Sequence, residues 1–342
     1  MTLAPMPLER LEGVRLGLPH VTLGQWPTPI DRVELPGAAG PIWVKREDRA
    51  SRIYGGNKVR KLELLLAGSS GPVITIGAAG SHHVLATALH ARALGRQCIA
   101  VLVPQNLTDH SRAVRDLNLD ACAEVVRLDR VPESLAHEGR TVASVAHELT
   151  RKRAATTVVP LGGSSPAGVL GFLNAGLEIA DQVADGICPR PAAIYTPLGT
   201  GGTAVGLALG LALAGLETEV VAVRVASRLV GNHRYLELLG RRTRRLLERQ
   251  GYKGAVPRPN LRVVHHAVGQ GYARPTPEAE RAVRIAASAD LPCETTYTGK
   301  ALAVMLEEIA ADSGRSVRMF LDTYGPIDDL VDPRANAGEH ER

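Results

Sequence analysis

At 342 residues the chain is long for one domain and comfortable for two. Hydrophobic residues make up 45% and aromatics only 3%, so Ala, Leu and Val must fill the core and each of the 7 tyrosines is a candidate for more than packing. A net charge of +5 is too modest to argue for a nucleic-acid partner. The densest basic run, Arg241-Arg242-Thr243-Arg244-Arg245, sits in a helix-like segment with Leu236, Leu239 and Leu246 on its other faces, and no zinc-finger, RRM or KH pattern accompanies it. A solvated helix face is the expectation.

The four cysteines (Cys98, Cys122, Cys188 and Cys293) are scattered without a CxxC pair, which argues against both a disulfide framework and a metal-ligand set. The N-terminal MTLAPMPLERLEG has no basic start followed by an apolar stretch, so a cytoplasmic protein is expected. The apolar run from Ala204 to Leu216 contains three glycines and is too short to span a bilayer. It reads as a buried helix.

In chain order, strand-like runs alternate with helix-like ones. Val73-Ile74-Thr75-Ile76 predicts a strand, His82 to Leu94 a helix ended by Gly95, and Cys98 to Val103 a second strand closed by Pro104. Ser111 to Leu117 reads as helix, Ala123 to Leu128 as strand, Leu135 to Ala154 as helix and Thr157-Val158-Val159 as a short strand. A second series follows: helix Gly168 to Asp181, strand Ala193 to Thr196, a glycine loop from Gly199 to Gly202, helix Ala204 to Ala214, strand Glu219 to Val225, and a last strand over Val317 to Leu321. This βαβ punctuation predicts parallel sheets covered by helices, arranged as two lobes with a cleft between them. The smaller lobe is expected over residues 59–180, and the larger over 1–58 with 181–342.

Four segments carry chemistry. The first is Tyr54-Gly55-Gly56-Asn57-Lys58-Val59-Arg60-Lys61-Leu62-Glu63, preceded by Lys45-Arg46-Glu47-Asp48. Glycines permit tight turns directly before a lysine that opens a helix. There the positive end of the helix disfavours the ammonium and leaves a neutral amine able to attack an aldehyde. Taken alone, a surface lysine after a glycine turn is the favoured reading of Lys58. The second is Gly80-Ser81-His82-His83, where a helix start could hold a carboxylate or the polar residues could simply cap the helix. The third is Thr196-Pro197-Leu198-Gly199-Thr200-Gly201-Gly202-Thr203, whose amides and hydroxyls suit a phosphate. The spacing Gly199-x-Gly201-x-x-Ala204 also imitates a dinucleotide fingerprint, but the strand Glu219 to Val225 ends in Arg224 and offers no acidic ribose partner. The fourth pairs Gly269-Gln270-Gly271-Tyr272 with Thr296-Tyr297-Thr298-Gly299-Lys300, two tyrosines in polar, glycine-containing loops.

Gly55-Gly56-Asn57-Lys58-x-Arg60-Lys61-Leu62-Glu63 resembles the cofactor-lysine motif of the 1-aminocyclopropane-1-carboxylate (ACC) deaminase and D-cysteine desulfhydrase family. These are pyridoxal 5′-phosphate (PLP) enzymes of the tryptophan-synthase-β-like fold, and the likeness runs from Pro27-Thr28-Pro29-Ile30 to about residue 326. The resemblance implies that Lys58 is the Schiff-base lysine and moves the α-proton of a small amino acid. It further implies that Asn57, His82, Gly199, Thr200, Gly201, Gly202, Thr203 and Thr298 join Lys58 in holding PLP. Ser81, His82 and His83 would meet the substrate, and Ser81, Tyr272 and Tyr297 would take part in catalysis. A homodimer is the expected assembly.

The chain departs from the family at three places. His82 stands where Ser-Asn-His is usual, and Leu321-Asp322-Thr323-Tyr324-Gly325-Pro326 stands where His-Thr-Gly-Gly is common. Thr298 occupies the place where ACC deaminases carry a glutamate against the pyridine nitrogen. A hydroxyl there weakens the electron sink, which favours α,β-elimination of a D-cysteine-like amino acid to a 2-oxo acid and ammonia over opening of a cyclopropane ring. The alternatives are β-replacement with a second substrate, a specialised secondary-metabolism enzyme of the same fold, and a PLP-binding protein without turnover.

Overall fold

The computed structural model describes residues 7–331, apart from 16, 129–145, 148, 152, 154, 229 and 230. Ten strands are found among them: β1 (Ile30–Val33), β2 (Ile42–Arg46), β3 (Val73–Ala78), β4 (Cys98–Val103), β5 (Glu124–Arg127), β6 (Thr157–Val159), β7 (Ala193–Leu198), β8 (Glu219–Arg224), β9 (Leu261–Val264) and β10 (Arg318–Asp322). They form a six-stranded sheet in the order β1-β2-β10-β7-β8-β9 and a four-stranded sheet in the order β5-β4-β3-β6. Every pairing is parallel except β1 with β2. The fold is thus α/β with parallel-sheet cores, as the punctuation predicted. The central strands are near-continuous runs of apolar residues because helices cover both of their faces.

Three strands (β1, β2 and β9) and the helices Pro277–Ala287 and Thr298–Ala311 lie where no element was assigned. Tyr297 therefore caps a helix rather than sitting in a loop. The helix expected over 111–117 runs from Asp109 to Ala121, since Thr108 and Ser111 close a capping box two residues earlier. Most of the helix expected over 135–154 lies outside the described residues. The basic run rides on the helix His233–Arg249, which buries Leu236, Leu239 and Leu247 and leaves Arg241, Arg242 and Arg245 exposed. No helix among the described residues is long and apolar enough to cross a membrane.

One helix spans the expected lobe boundary at residues 180 and 181. Ser165 and Pro166 start a single helix that continues to Ala184, so a break at 180 would cut it. Its Val169, Phe172, Leu173 and Ile179 share a core with Ile194, Val220, Met319 and Leu321 of the six-stranded sheet. The amphipathic pattern was legible, but which sheet it covers is a tertiary choice.

A buried ionic cluster ties this helix to β2 and to the helix Val59–Leu65. Glu178 accepts from Lys45 Nζ at 2.5 Å and from Arg60 Nη2 at 2.8 Å, while Glu47 accepts from Arg60 Nε at 2.7 Å and Nη2 at 2.8 Å. Lys45 also donates to Thr28 O and Gln182 Oε1, both at 2.7 Å, and Arg60 lies over the Trp26 ring at 3.9 Å. Two cations and two anions, all shielded from solvent, cancel. Burial opposes the charge on Glu178, but Arg60 and Lys45 more than offset it and hold the carboxyl at about 2.

Because the folded value lies below the ordinary carboxylate range, this contribution to stability is complete above about pH 4.3 and fades as pH falls toward the folded value. Glu178→Gln leaves Lys45 and part of Arg60 buried without a counter-charge and should cost about 3–5 kcal/mol in urea unfolding at pH 7. The variant should also lose part of the wild type's pH dependence of stability in the acid window. Unchanged stability at pH 7 would show that the cluster is not what joins these elements.

Candidate active site

A cavity of about 620 Å³ opens at the carboxyl ends of strands from both sheets. Its walls come from the segments after β3 (Ser81, His82), β4 (Pro104, Gln105), β6 (Leu161, Gly162), β7 (Gly199 to Gly201 and Thr203), β8 (Ala226, Ser227) and β10 (Thr323 to Gly325). This is where ligands enter open parallel sheets, because loops diverge there and helix starts point their amides inward. Four of the seven tyrosines (Tyr54, Tyr272, Tyr297 and Tyr324) line it.

Lys58 caps the helix Val59–Leu65, and its Nζ lies 2.5 Å from Asn57 Oδ1. Asn57 Nδ2 in turn donates to Thr203 Oγ1 at 2.9 Å, tying the lysine to the glycine loop. Gly56 has φ +89°, and a Cβ there would meet Thr323 O at 2.9 Å and Gly325 N at 3.0 Å. Only glycine allows this approach. Burial lowers the Lys58 ammonium to about 8, against the opposing charge of Glu294. Desolvation, more than the helix terminus invoked from sequence, is what frees the amine.

Beside Lys58 lies a cationic cup. Lys61 Nζ donates to Gly162 O at 3.1 Å and has no carboxylate partner among the described residues. Burial and the neighbouring Lys58 push its ammonium down, so an anion in the cup would be favoured. Ser164 Oγ and Thr200 Oγ1 are 2.7 Å apart, and Gly202 N donates to Ser164 Oγ at 3.1 Å. Gly199, Thr200, Gly201 and Thr203 line the cavity, while Gly202 faces the cup, where a Cβ would come 2.6 Å from Ser164 Oγ and 3.2 Å from Lys61 Nζ. Gly201 has φ +82°, and a Cβ on it would run into Leu236 Cδ2. The demand for glycine there comes from backbone conformation and the Leu236 side chain. A lysine amine beside an amide-, hydroxyl- and ammonium-rich cup, without acids among the described residues, fits a pyridoxal phosphate. Lys58 would take the aldehyde end, with Lys61, Ser164 and the 199–203 loop at the phosphate.

Ser81 caps the helix His82–Ala93, accepting from His83 N at 3.2 Å, and lines the cavity. His83 turns toward Thr75 Oγ1 at 3.4 Å, and burial followed by the Lys58 and Lys61 charges keeps its pKa well below the ordinary imidazole value. His82 is held by Tyr54 Oη at Nδ1 and by His110 Nε2 at Nε2.

The tyrosine pair closes another wall. Tyr272 Oη and Tyr297 Oη are 2.6 Å apart, and burial raises both phenols. Thr298 Oγ1 accepts from Glu294 N at 2.9 Å and lies 3.3 Å from both Glu294 O and Glu294 Oε1. Glu294 is the acid lining the cavity among the described residues. It accepts from the amides of Thr296 at 2.6 Å, Tyr297 at 2.7 Å and Thr298 at 2.9 Å, at the start of the helix Thr298–Ala311. Asp322 is not in the wall. It is fully buried at the end of β10, where burial and Asp48 raise its carboxyl, and its Oδ1 accepts from Tyr324 N at 3.2 Å.

Tyr54, Lys61, His110, Ser164, Glu294 and Tyr324 were not singled out as site residues. Two of them stood inside the quoted lysine motif, and the scarcity of aromatics pointed to the tyrosines. Ser164, His110 and Glu294 had no local signal, because only the fold carries them to the cavity.

Comparison with known proteins agrees with this geometry. Residues 21–319 match the family described as "Pyridoxal-phosphate dependent enzyme". The chain is 36% identical to nocardicin C-9′ epimerase of Nocardia uniformis subsp. tsuyamanensis, over 91% of this chain and 96% of that protein. It is 30% identical to the mitochondrial bifunctional D-cysteine desulfhydrase/1-aminocyclopropane-1-carboxylate deaminase of Arabidopsis thaliana, over 92% and 80%. The crystal structure of an ACC deaminase homologue superposes with a TM-score of 0.75 at 27% identity, over 94% of this chain and 95% of that one. The chain belongs to the pyridoxal-phosphate-dependent enzyme family, and pyridoxal 5′-phosphate is its cofactor.

Borohydride reduction of the holoenzyme followed by peptide mapping should put the pyridoxyl label on Lys58. A label on Lys61 or another lysine overturns the assignment. For the cup, Gly201→Val should weaken cofactor retention at least on the order of tenfold, because its backbone is left-handed and Leu236 blocks the side chain. Gly199→Ala should be tolerated, since its Cβ would make an ordinary 3.7 Å contact with Tyr297. Equal retention by Gly201→Val would mean the loop does not shape the cup.

Proposed function

We propose that the enzyme acts on a small amino acid by α,β-elimination, releasing a 2-oxo acid and ammonia, with a D-cysteine-like substrate as the best match. The observation that carries this is the Thr298 hydroxyl, a neutral group in the cavity wall whose hydrogen-bonding capacity is turned toward Glu294. When bound, the cofactor would supply the electron sink, and a threonine rather than a carboxylate at position 298 would leave that sink weaker. Fast departure of a good leaving group then competes better than opening a strained ring. The D-cysteine desulfhydrase and ACC deaminase activities named for its relatives support a lyase or deaminase in general.

In this reading Lys58 is the base that takes the α-proton, working from a desolvated pocket that favours its neutral amine. Asn57 fixes its position. Ser81, His82 and His83 meet the substrate, and Thr203, through Asn57, joins the cofactor loop to the lysine. Tyr297, 2.6 Å from Tyr272, acts as the acid at the departing group: one phenol donates to the other, and the pair retains a hydrogen to give. The cavity walls exclude water from the developing charge. The four free cysteines agree with a cytoplasmic setting, and a homodimer is the proposed assembly.

A second reading is favoured by the 36% identity to an epimerase. There the α-proton is removed and returned with inversion, and no bond to the β-carbon breaks. Both readings begin with the same step at Lys58.

The test compares D-cysteine, β-chloro-D-alanine and ACC, scored by pyruvate or 2-oxobutyrate, with α-deuterium uptake in D₂O followed alongside. Elimination predicts pyruvate from the two β-substituted amino acids and little from ACC. Faster turnover of ACC than of both defeats the argument from Thr298. Deuterium uptake with inversion and no oxo acid selects epimerisation.

A further inference from the structure

His82 is the middle of a hydrogen-bonded chain. A carbonyl oxygen only accepts, so the 2.8 Å contact from Tyr54 Oη to Gly325 O commits the phenolic hydrogen. The phenol oxygen must then accept from His82 Nδ1 at 2.5 Å, which puts the imidazole hydrogen on Nδ1. Burial, then the charges of His110 and Lys58, keeps His82 neutral. Its Nε2 is therefore bare and accepts from His110 Nε2–H at 2.9 Å. The rings back this order: Tyr54 and His82 are stacked at an interplanar angle of 10°, and His82 and His110 at 23°. Tyr324 closes the cluster, edge-on to His82 with centroids 5.3 Å apart. All the hydrogens point one way, from His110 to His82 to Tyr54.

The two ends differ in surroundings. Tyr54 and His82 line the cavity, whereas His110, at the start of the helix Asp109–Ala121, lies behind them and is partly exposed. Beyond the chain itself, the groups acting on it are Lys58 on His82, Glu294 and Asp328 on His110, and Tyr324 and Glu294 on Tyr54. We propose that His110, His82 and Tyr54 form a proton relay between solvent and the cavity, with the Tyr54 hydroxyl as its inner end. This rests on the reading that an amino acid exchanges a proton in this cavity.

The step balances. A solvent proton binds His110 Nδ1, His110 passes its Nε2 proton to His82 Nε2, His82 passes its Nδ1 proton to Tyr54 Oη, and Tyr54 turns its own hydrogen from Gly325 O and gives it to the substrate. One proton enters and one leaves. When the reaction runs in reverse, Tyr54 takes the proton, and its passage outward through His82 and His110 restores the starting tautomers. Tyr54 is thus a second proton-transfer group besides Lys58, and His82 and His110 act through it.

Two measurements test this. In apoprotein labelled with ¹⁵N-histidine, long-range ¹H–¹⁵N spectra should show His82 as the Nδ1–H tautomer through neutral pH, and Tyr54→Phe should disturb it. An Nε2–H tautomer in the unaltered protein overturns the relay. In holoenzyme, solvent-deuterium exchange at the substrate α-carbon should fall on the order of tenfold or more in His110→Ala, with the cofactor spectrum unchanged, and free imidazole should restore it. His82→Asn can hydrogen-bond but cannot pass a proton, and should be equally slow. Wild-type rates in both variants sink the relay while leaving the Lys58 reading intact. If the unaltered enzyme exchanges no amino acid's α-proton, the reading of the cavity fails, and the tautomer spectrum alone decides the relay.

Discussion

The structure depends on one buried guanidinium. Arg60 sits two residues after Lys58, and Glu47 and Glu178 grip it from two different parts of the chain. Both carboxylates are shielded from water, so neither can move away without stranding a charge. Lys45 on β2 shares Glu178, and β2 pairs with β10, whose end leads into Thr323 to Gly325. The clamp therefore sets the floor of the cavity as well as the base of the lysine's helix. A lysine held this way has little freedom to leave the geometry its chemistry needs.

Within that frame the cavity sorts charge by depth and side. Lys58 and Lys61 are neighbours on one helix turn and both are desolvated, which presses each toward its neutral form. The cup offers hydroxyls and amides but no acid, so it suits a dianion. The wall's acid, Glu294, is saturated by three amides and acts on the site through its field, opposing the fall of Lys58 and raising the phenols around it. One cavity can thus keep an amine partly neutral and its tyrosines protonated near pH 8.

Much of the site was readable because it is local. The glycine pair, Asn57 and Lys58 occupy consecutive positions whose geometry is fixed by short-range sterics, and the 199–203 loop lies between a strand and a helix that any periodicity reading finds. The β-branched runs of β3, β4, β7 and β8 were legible for the same reason. β1, β2 and β9 were not: they are short or mixed in polarity, and what makes them strands is the neighbour they pair with. Thr298 lies in the wall, yet its partner Glu294 was missed, because a glutamate four residues earlier gives no sign that it folds back over a helix start.

By itself, then, the sequence determined the α/β class, the local motif around Lys58 and the 199–203 loop, since each follows from backbone sterics and hydrophobic periodicity within a few residues. Tertiary structure decided which sheet the helix Pro166–Ala184 covers, which acids clamp Arg60, and which side chains meet Tyr54 and His82 across the cavity. Those choices join residues far apart in the chain, such as Arg60 with Glu178 and Tyr54 with Gly325. They are set by which buried polar groups can find partners once the two sheets have come together, and no local pattern encodes that.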